Sequence, residues 1–169
     1  VGSDDGADSD PNFADTVYFG DIIDGGSESD TIFAGAGADM ISGGGGNDSI
    51  NSGAGSDCGN AGVGDDWIFA GVTATLGDSI DAGDGNDAVY GGAAADTIIG
   101  GIGADRLFGQ GGADSITGDG GDDWIDTGSG SNDYASGGDG NDEITDSGGA
   151  GNTLAGDAGD DTLRGSDDG

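Results

Sequence analysis

Branched aliphatic residues occur singly along this chain, nine residues apart, with polar and glycine-rich stretches filling the intervals. The period shows when segments are stacked: "GGSESDTIF" from residue 25, "AGAGADMIS" from 34, "GGGGNDSIN" from 43, "AGVGDDWIF" from 61, "GGIGADRLF" from 100 and "GDGGDDWID" from 118. With the repeat numbered 1 to 9, position 8 is Ile23, Ile32, Ile41, Ile50, Gly59, Ile68, Ile80, Val89, Ile98, Leu107, Ile116, Ile125, Ala135, Ile144, Leu154 and Leu163. A lone aliphatic flanked by outward-facing neighbours predicts a three-residue strand with its central side chain buried. The six residues before it, with most of the glycines at positions 1, 2 and 4, predict a turn that needs φ > 0 at several positions.

Position 6 carries the candidate chemistry. It reads Asp21, Asp30, Asp39, Asp48, Asp57, Asp66, Asp78, Asp87, Asp96, Asp105, Asp114, Asp123, Asp133, Asp142, Asn152 and Asp161, so fifteen of sixteen are aspartate. Over the whole chain 35 acidic residues face two basic ones, Arg106 and Arg164, for a net charge of -33. Such a surface repels nucleic acid and anionic membrane and attracts cations. The 43 glycines do not recur at every third position and there is one proline, which excludes collagen. High charge with low hydrophobicity is otherwise a signature of disorder, and here it describes the expected metal-free chain. Calcium takes six to eight hard oxygens and accepts main-chain carbonyls beside carboxylates, which glycine turns can present.

The sixteenfold repeat closely resembles the RTX family of glycine-rich and aspartate-rich nonapeptides, whose pattern is G-G-x-G-x-D-x-U-x. The resemblance implies an all-β fold, a right-handed parallel β-roll of about eight 18-residue coils with calcium ions along both turn edges. It divides the chain into an acidic N-terminal segment or cap, 1–19, and a roll, 20–169. It implies that position-6 carboxylates of repeats n and n+2 share each ion with turn carbonyls. The carbonyls it points to are those of Gly26, Gly35, Gly37, Gly44, Gly46, Gly53, Gly55, Gly62, Gly64, Gly83, Gly85, Gly92, Gly101, Gly103, Gly112, Gly121, Gly138, Gly140 and Gly159. Roughly ten ions are expected in all. Stacked coils would set ladder aspartates about 4.8 Å apart, where like charges repel by roughly 1 kcal/mol in water and more at lower dielectric. Folding is therefore expected to depend on calcium.

Alternate repeats sort into two ladders. The first runs through Asp21, Asp39, Asp57, Asp78, Asp96, Asp114, Asp133 and Asn152, the second through Asp30, Asp48, Asp66, Asp87, Asp105, Asp123, Asp142 and Asp161. The first collects the departures: the "GVTATLGD" insertion before Asp78, the stretched "TGSGSND" turn, Gly59 and Ala135 at the core position, and Asn152 in place of a carboxylate. At 132–135 two registers compete, Asn132 with Tyr134 inside or Asp133 with Ala135 inside. The second is preferred because "GGDGND" then falls into place at 137. Calcium near Asn152 is expected to be weak or absent. Phe33, Trp67, Phe69, Tyr90, Phe108 and Trp124 all fall at outward positions 7 or 9 of the second ladder. They predict either a protein contact surface or cross-strand packing that shields the sheet.

Among function classes an enzyme is improbable, since there is no His or Lys and the lone Cys58 has no basic partner in sequence to activate it. The segment shown has no apolar run of membrane-spanning length and no recognisable targeting signal. The resemblance instead implies a module of an exported bacterial protein, leaving by type I secretion unfolded and folding in the calcium-rich exterior. A structural stalk of an adhesin or surface-layer protein is the alternative. A calcium-dependent ice-binding roll is disfavoured, because turn positions 3 and 5 hold no threonine row.

Overall fold

The computed structural model describes residues 20–71 and 75–166. The segment 1–19, for which a cap was expected, lies outside the described residues, as do three residues of the insertion, 72–74, and the last three, 167–169. Sixteen short strands build two parallel sheets of eight. One contains β1 (Ile22–Gly26), β3 (Met40–Gly45), β5 (Cys58–Val63), β7 (Ser79–Asp84), β9 (Thr97–Ile102), β11 (Ser115–Gly120), β13 (Tyr134–Asp139) and β15 (Thr153–Ala158). The other contains β2 (Thr31–Phe33), β4 (Ser49–Asn51), β6 (Trp67–Phe69), β8 (Ala88–Gly92), β10 (Arg106–Gln110), β12 (Trp124–Asp126), β14 (Glu143–Thr145) and β16 (Thr162–Arg164). Each strand pairs with the strands two before and two after it, so the chain winds as an eight-coil β-solenoid. Among the described residues no helix is long and apolar enough to cross a membrane.

The lone aliphatics form the core. Ile32, Ile41, Ile50, Ile68, Ile80, Val89, Ile98, Leu107, Ile116, Ile125 and Ile144 are all buried in one cluster, joined by the small side chains of Ala61, Ala70 and Ala82. Pairing keeps position 8 on position 8, as in Ile80↔Ile98 and Leu107↔Ile125, so each aliphatic meets its equivalent in the next coil. The predicted weak places are filled locally. Gly59 pairs with Ile80, whose Cδ1 lies 3.1 Å from where a Cβ at Gly59 would stand. Asp133 and Ala135 point inward while Tyr134 is exposed, so the preferred register is the observed one. Asn132 becomes an extra turn residue at φ 66°.

Position 2 turns through positive φ whatever residue occupies it. Gly44 has φ 105°, and Gln110, Asp119 and Asp157 occupy the same place at 71°, 72° and 65°. Position 4 is tighter: at Gly103, φ is 141° and an added Cβ would fall 1.6 Å from the Gly85 carbonyl oxygen of the coil before. Glycine there is required by the stacking distance as well as by φ.

On the outer face of the second sheet the aromatics pack on one another. Phe69 stacks on Tyr90 (centroids 4.9 Å), Tyr90 on Phe108 (4.6 Å, 3° between planes), and Phe108 meets Trp124 edge-on at 5.0 Å. Trp67 lies 5.6 Å from Tyr90 and 6.0 Å from Phe69. Phe33 stands apart, separated from Phe69 in the register by Asn51. The expected six-ring stripe is thus a five-ring stack whose rings cover each other, the cross-strand packing that was one of its two predicted roles.

Replacing Gly103 by Ala is expected to destabilise the calcium-loaded protein by about 1–3 kcal/mol through enforced backbone strain, read as a fall in the denaturation midpoint. An unchanged midpoint would show that the turn relaxes freely.

Candidate metal centre

The position-6 aspartates stand at the entry to each strand, where the chain passes from turn to sheet, and the 18- to 21-residue coil spacing stacks them in two columns. In each column the backbone N–H of one aspartate donates to Oδ1 of its equivalent in the next coil. On the first edge these bonds run Asp21 to Asp39 (2.7 Å), Asp39 to Asp57 (2.9 Å), Asp57 to Asp78 (2.8 Å), Asp78 to Asp96 (2.8 Å), Asp96 to Asp114 (2.9 Å) and Asp114 to Asp133 (2.9 Å). On the second they run Asp30 to Asp48 (2.9 Å), Asp48 to Asp66 (2.7 Å), Asp66 to Asp87 (2.7 Å), Asp87 to Asp105 (2.8 Å), Asp105 to Asp123 (2.8 Å), Asp123 to Asp142 (2.8 Å) and Asp142 to Asp161 (3.0 Å). Every predicted carboxylate therefore takes its place, including Asp78 after the insertion.

One oxygen of each carboxylate is thereby satisfied, and the other is not. Oδ2 of Asp30, Asp39, Asp48, Asp57, Asp66, Asp87, Asp96, Asp105, Asp114, Asp123, Asp133 and Asp142 is buried without a hydrogen-bond partner. Seven of these twelve belong to the second ladder and five to the first, in line with the greater regularity of the second. A buried acceptor without a partner costs about 1–3 kcal/mol, more when charged, so twelve exceed the whole stability of an ordinary domain.

The surroundings of these oxygens are main-chain carbonyls. A Cβ built on Gly43 would lie 2.4 Å from Asp48 Oδ2 and 2.5 Å from the Ala61 carbonyl oxygen of the next coil, and one on Gly118 would lie 2.1 Å from Asp123 Oδ2 and 2.5 Å from the Gly137 oxygen. On the Oδ1 side, a Cβ on Gly112 would meet the Ala94 oxygen at 1.9 Å and Asp114 Oδ1 at 2.8 Å. The same glycine places put a position-1 carbonyl of the coil after beside Oδ2 of Asp30, Asp48, Asp96, Asp105, Asp114 and Asp123, and a position-4 carbonyl of the coil before beside Oδ1 of Asp57, Asp87, Asp114 and Asp133, so that Asp114 is bracketed on both sides. The position-4 carbonyls were expected from the sequence. Those of position 1 were missed, although the restriction of that place to Gly or Ala throughout the second edge was the visible signal. Among the described residues no three acidic, His or Cys side chains converge, so an ion held here draws most of its ligands from the backbone. An oxygen-only donor set of carboxylates and carbonyls fits a hard cation such as calcium.

A second ladder, also missed, runs along the exposed second edge through position 5. Asp65 N donates to Asn47 Oδ1 (3.2 Å), Asn86 N to Asp65 Oδ1 (2.9 Å), Ala104 N to Asn86 Oδ1 (3.0 Å), Asn141 N to Asp122 Oδ1 (2.8 Å) and Asp160 N to Asn141 Oδ1 (3.1 Å). It runs opposite to the aspartate ladder, each coil donating to the one before. The alternation of Asp and Asn gives each such carboxylate a neutral neighbour.

A family model described as RTX calcium-binding nonapeptide repeat (4 copies) matches residues 15–50, 24–57, 75–107, 99–132, 127–150 and 146–168. The chain belongs to this RTX family. No curated protein matches it in sequence. The RTX repeats of this chain form a calcium-binding repeat β-roll, and the orphaned oxygens stand where the repeats bring two coils together.

Burial governs the titration of these RTX carboxylates. It raises Asp66 to about 6 and Asp78, Asp87, Asp114 and Asp123 to about 7, against the pull of the backbone N–H bonds and with added repulsion from neighbouring carboxylates. Asp48, Asp57, Asp96, Asp105, Asp133 and Asp142 are also raised, chiefly by burial. A group whose folded pKa is raised favours folding at low pH, and that contribution is lost as pH climbs from the unfolded carboxylate value to the folded one. The calcium-free protein is therefore expected to gain β signal in circular dichroism as pH falls from about 8 to about 4.5, and a flat signal would contradict the burial. A second outcome concerns Asp105→Asn, which keeps the Oδ1 acceptor for Asp87 N and replaces Oδ2 by an amide. It is expected to reduce the calcium count by calorimetry while the remaining sites still fill.

Proposed function

We propose that this chain is the calcium-responsive module of a secreted or cell-surface bacterial protein, expanded where calcium is scarce and folded where it is plentiful. The observation that carries this reading is the set of twelve buried carboxylate oxygens without partners. They make the wound state unfavourable as a bare polyanion and favourable once cations sit between the coils. Binding supplies about 2.7 kcal/mol per site at a hundredfold excess over Kd, which over about ten ions outweighs ordinary folding stability. The ions would be held by the position-6 carboxylates with position-1 and position-4 carbonyls, and they would offset the charge of -33. Calcium sets in motion only folding here, and the repeated carboxylates among the described residues serve as ligands rather than as acid–base groups.

Location follows from the same switch. A chain that is unfolded at low cytosolic calcium suits export as an extended polymer, and an extracellular calcium concentration then winds it. Support for a stalk in an adhesin or surface-layer protein comes from the uninterrupted pairing of eight coils, which at about 4.8 Å each gives a rod of roughly 40 Å. Ice binding finds no support in the turns, where position 3 varies from Gly45 to Val63 to Asp84 to Ile102.

In a far-UV circular dichroism titration the chain in EDTA is expected to show no β signal at neutral pH and to acquire it in millimolar calcium, with magnesium far less effective because it demands a tighter octahedral site. The same β signal in EDTA as in calcium would overturn the reading.

A further inference from the structure

One turn of the first edge departs from the arrangement just described. Asn152 takes the position-6 place and keeps the ladder bond, its Oδ1 accepting from Asp133 N at 2.9 Å. The second terminal atom, an orphaned oxygen in twelve aspartates, is here an amide nitrogen that donates to the Gly148 carbonyl at 3.2 Å. The turn thus offers a hydrogen where its equivalents offer a lone pair. At the opening of the same turn, where Gly91 and Gly109 stand in earlier coils, is Asp146.

Asp146 is 8% exposed, yet unlike the ladder carboxylates it has partners on both oxygens. Gly148 N donates to Oδ1 at 3.0 Å, with the Thr127 hydroxyl at 3.5 Å. Ser166 approaches Oδ2 with its N–H at 3.3 Å and its hydroxyl at 3.0 Å, and that hydroxyl also lies 3.3 Å from the Gly149 carbonyl. Asp146 N donates to the Arg164 carbonyl at 2.8 Å. Burial alone would push this carboxyl up, but the bonds from Asn152, Gly148 and Ser166 outweigh it and hold the group below the usual carboxylate value. The cluster ties the segment after β16 back to the turn of the preceding coil. This is where hydrophobic packing is thinnest, since every residue of β16 is exposed, Leu163 at 43%.

We propose that the turn 146–152 is a metal-free latch, in which Asp146, Asn152 and Ser166 close the first edge over the last two strands by side-chain hydrogen bonds in place of a shared ion. The inference rests on the calcium reading of the other turns. The latch needs no cation, so it holds β15 and β16 in register independently of the ions that organise the rest of the edge.

The test compares three calcium-saturated proteins by calorimetric ion counting and by amide hydrogen exchange. Asp146→Ala is expected to bind as many ions as the parent chain while exchange in β15 and β16 quickens about tenfold, the effect of losing hydrogen bonds to a buried charge. The double variant Asp146→Gly, Asn152→Asp, which restores the repeat pattern at both places, is expected to bind one additional ion. Loss of an ion in Asp146→Ala would make that carboxylate a ligand and overturn the latch, as would a double variant with an unchanged count. Should the parent chain itself bind no calcium, the broader reading fails instead, and the exchange measurement on Asp146→Ala still decides whether the cluster fastens the final strands.

Discussion

Stacking like charges in a buried column is the constraint around which this fold is organised. A coil cannot close without bringing its aspartate against the aspartate of the next coil, because the same N–H···Oδ1 bond that sets the stacking distance also sets the separation of the charges. In Asp87, for example, Oδ1 accepts from Asp66 N while the backbone of Asp87 donates to Asp105 Oδ1, so one residue is held by both neighbours and repelled by both. The core offsets this only in part, with one aliphatic per nine residues. The prevalence of glycine at position 4 follows from the same constraint, since a side chain built on Gly103, Gly85 or Gly140 would meet the carbonyl of the coil before.

Much of this was legible in the sequence because the repeat is a one-dimensional code. A period of nine with Ile at position 8 and Asp at position 6 fixes which side chains point in, which carboxylates align, and how many coils there are. Even the awkward register near Asn132 resolved by asking which choice restores the next repeat. Besides the position-5 ladder, two kinds of feature escaped. The position-1 carbonyls beside Oδ2 are main-chain atoms, carrying no letter of their own, and show only as a limit on side-chain size at places such as Gly43 and Ala61. The Asp146 cluster escaped for the opposite reason: its partner Ser166 lies one coil away, 20 residues on, but neither residue belongs to the nine-residue pattern, so the pairing is a single exception. Seeing it required knowing which oxygens were satisfied.

The two edges of the roll also differ in what they ask of a cation. The second carries the position-5 ladder of alternating Asn and Asp, an additional set of inter-coil bonds made without metal, whereas the first presents small residues such as Ala38, Ala95 and Ala113 in the corresponding places. Register on the second edge is thus specified twice, and on the first edge mainly by the aspartate column. That difference matches where the sequence tolerates an insertion, a stretched turn and an asparagine: all three fall on the first edge.

Nearly every bond that holds the roll, whether in the sheets, the aspartate columns or the outer ladder, joins a residue to one 17 to 21 positions away. Tension applied between the two ends would therefore not shear the whole body at once. It would peel one coil, whose 18 or so residues pay out about 60 Å of extended chain, and then meet the next. In mechanical terms such a body would extend stepwise, one coil at a time, and a cation shared between two coils would raise the resistance of the step that parts them.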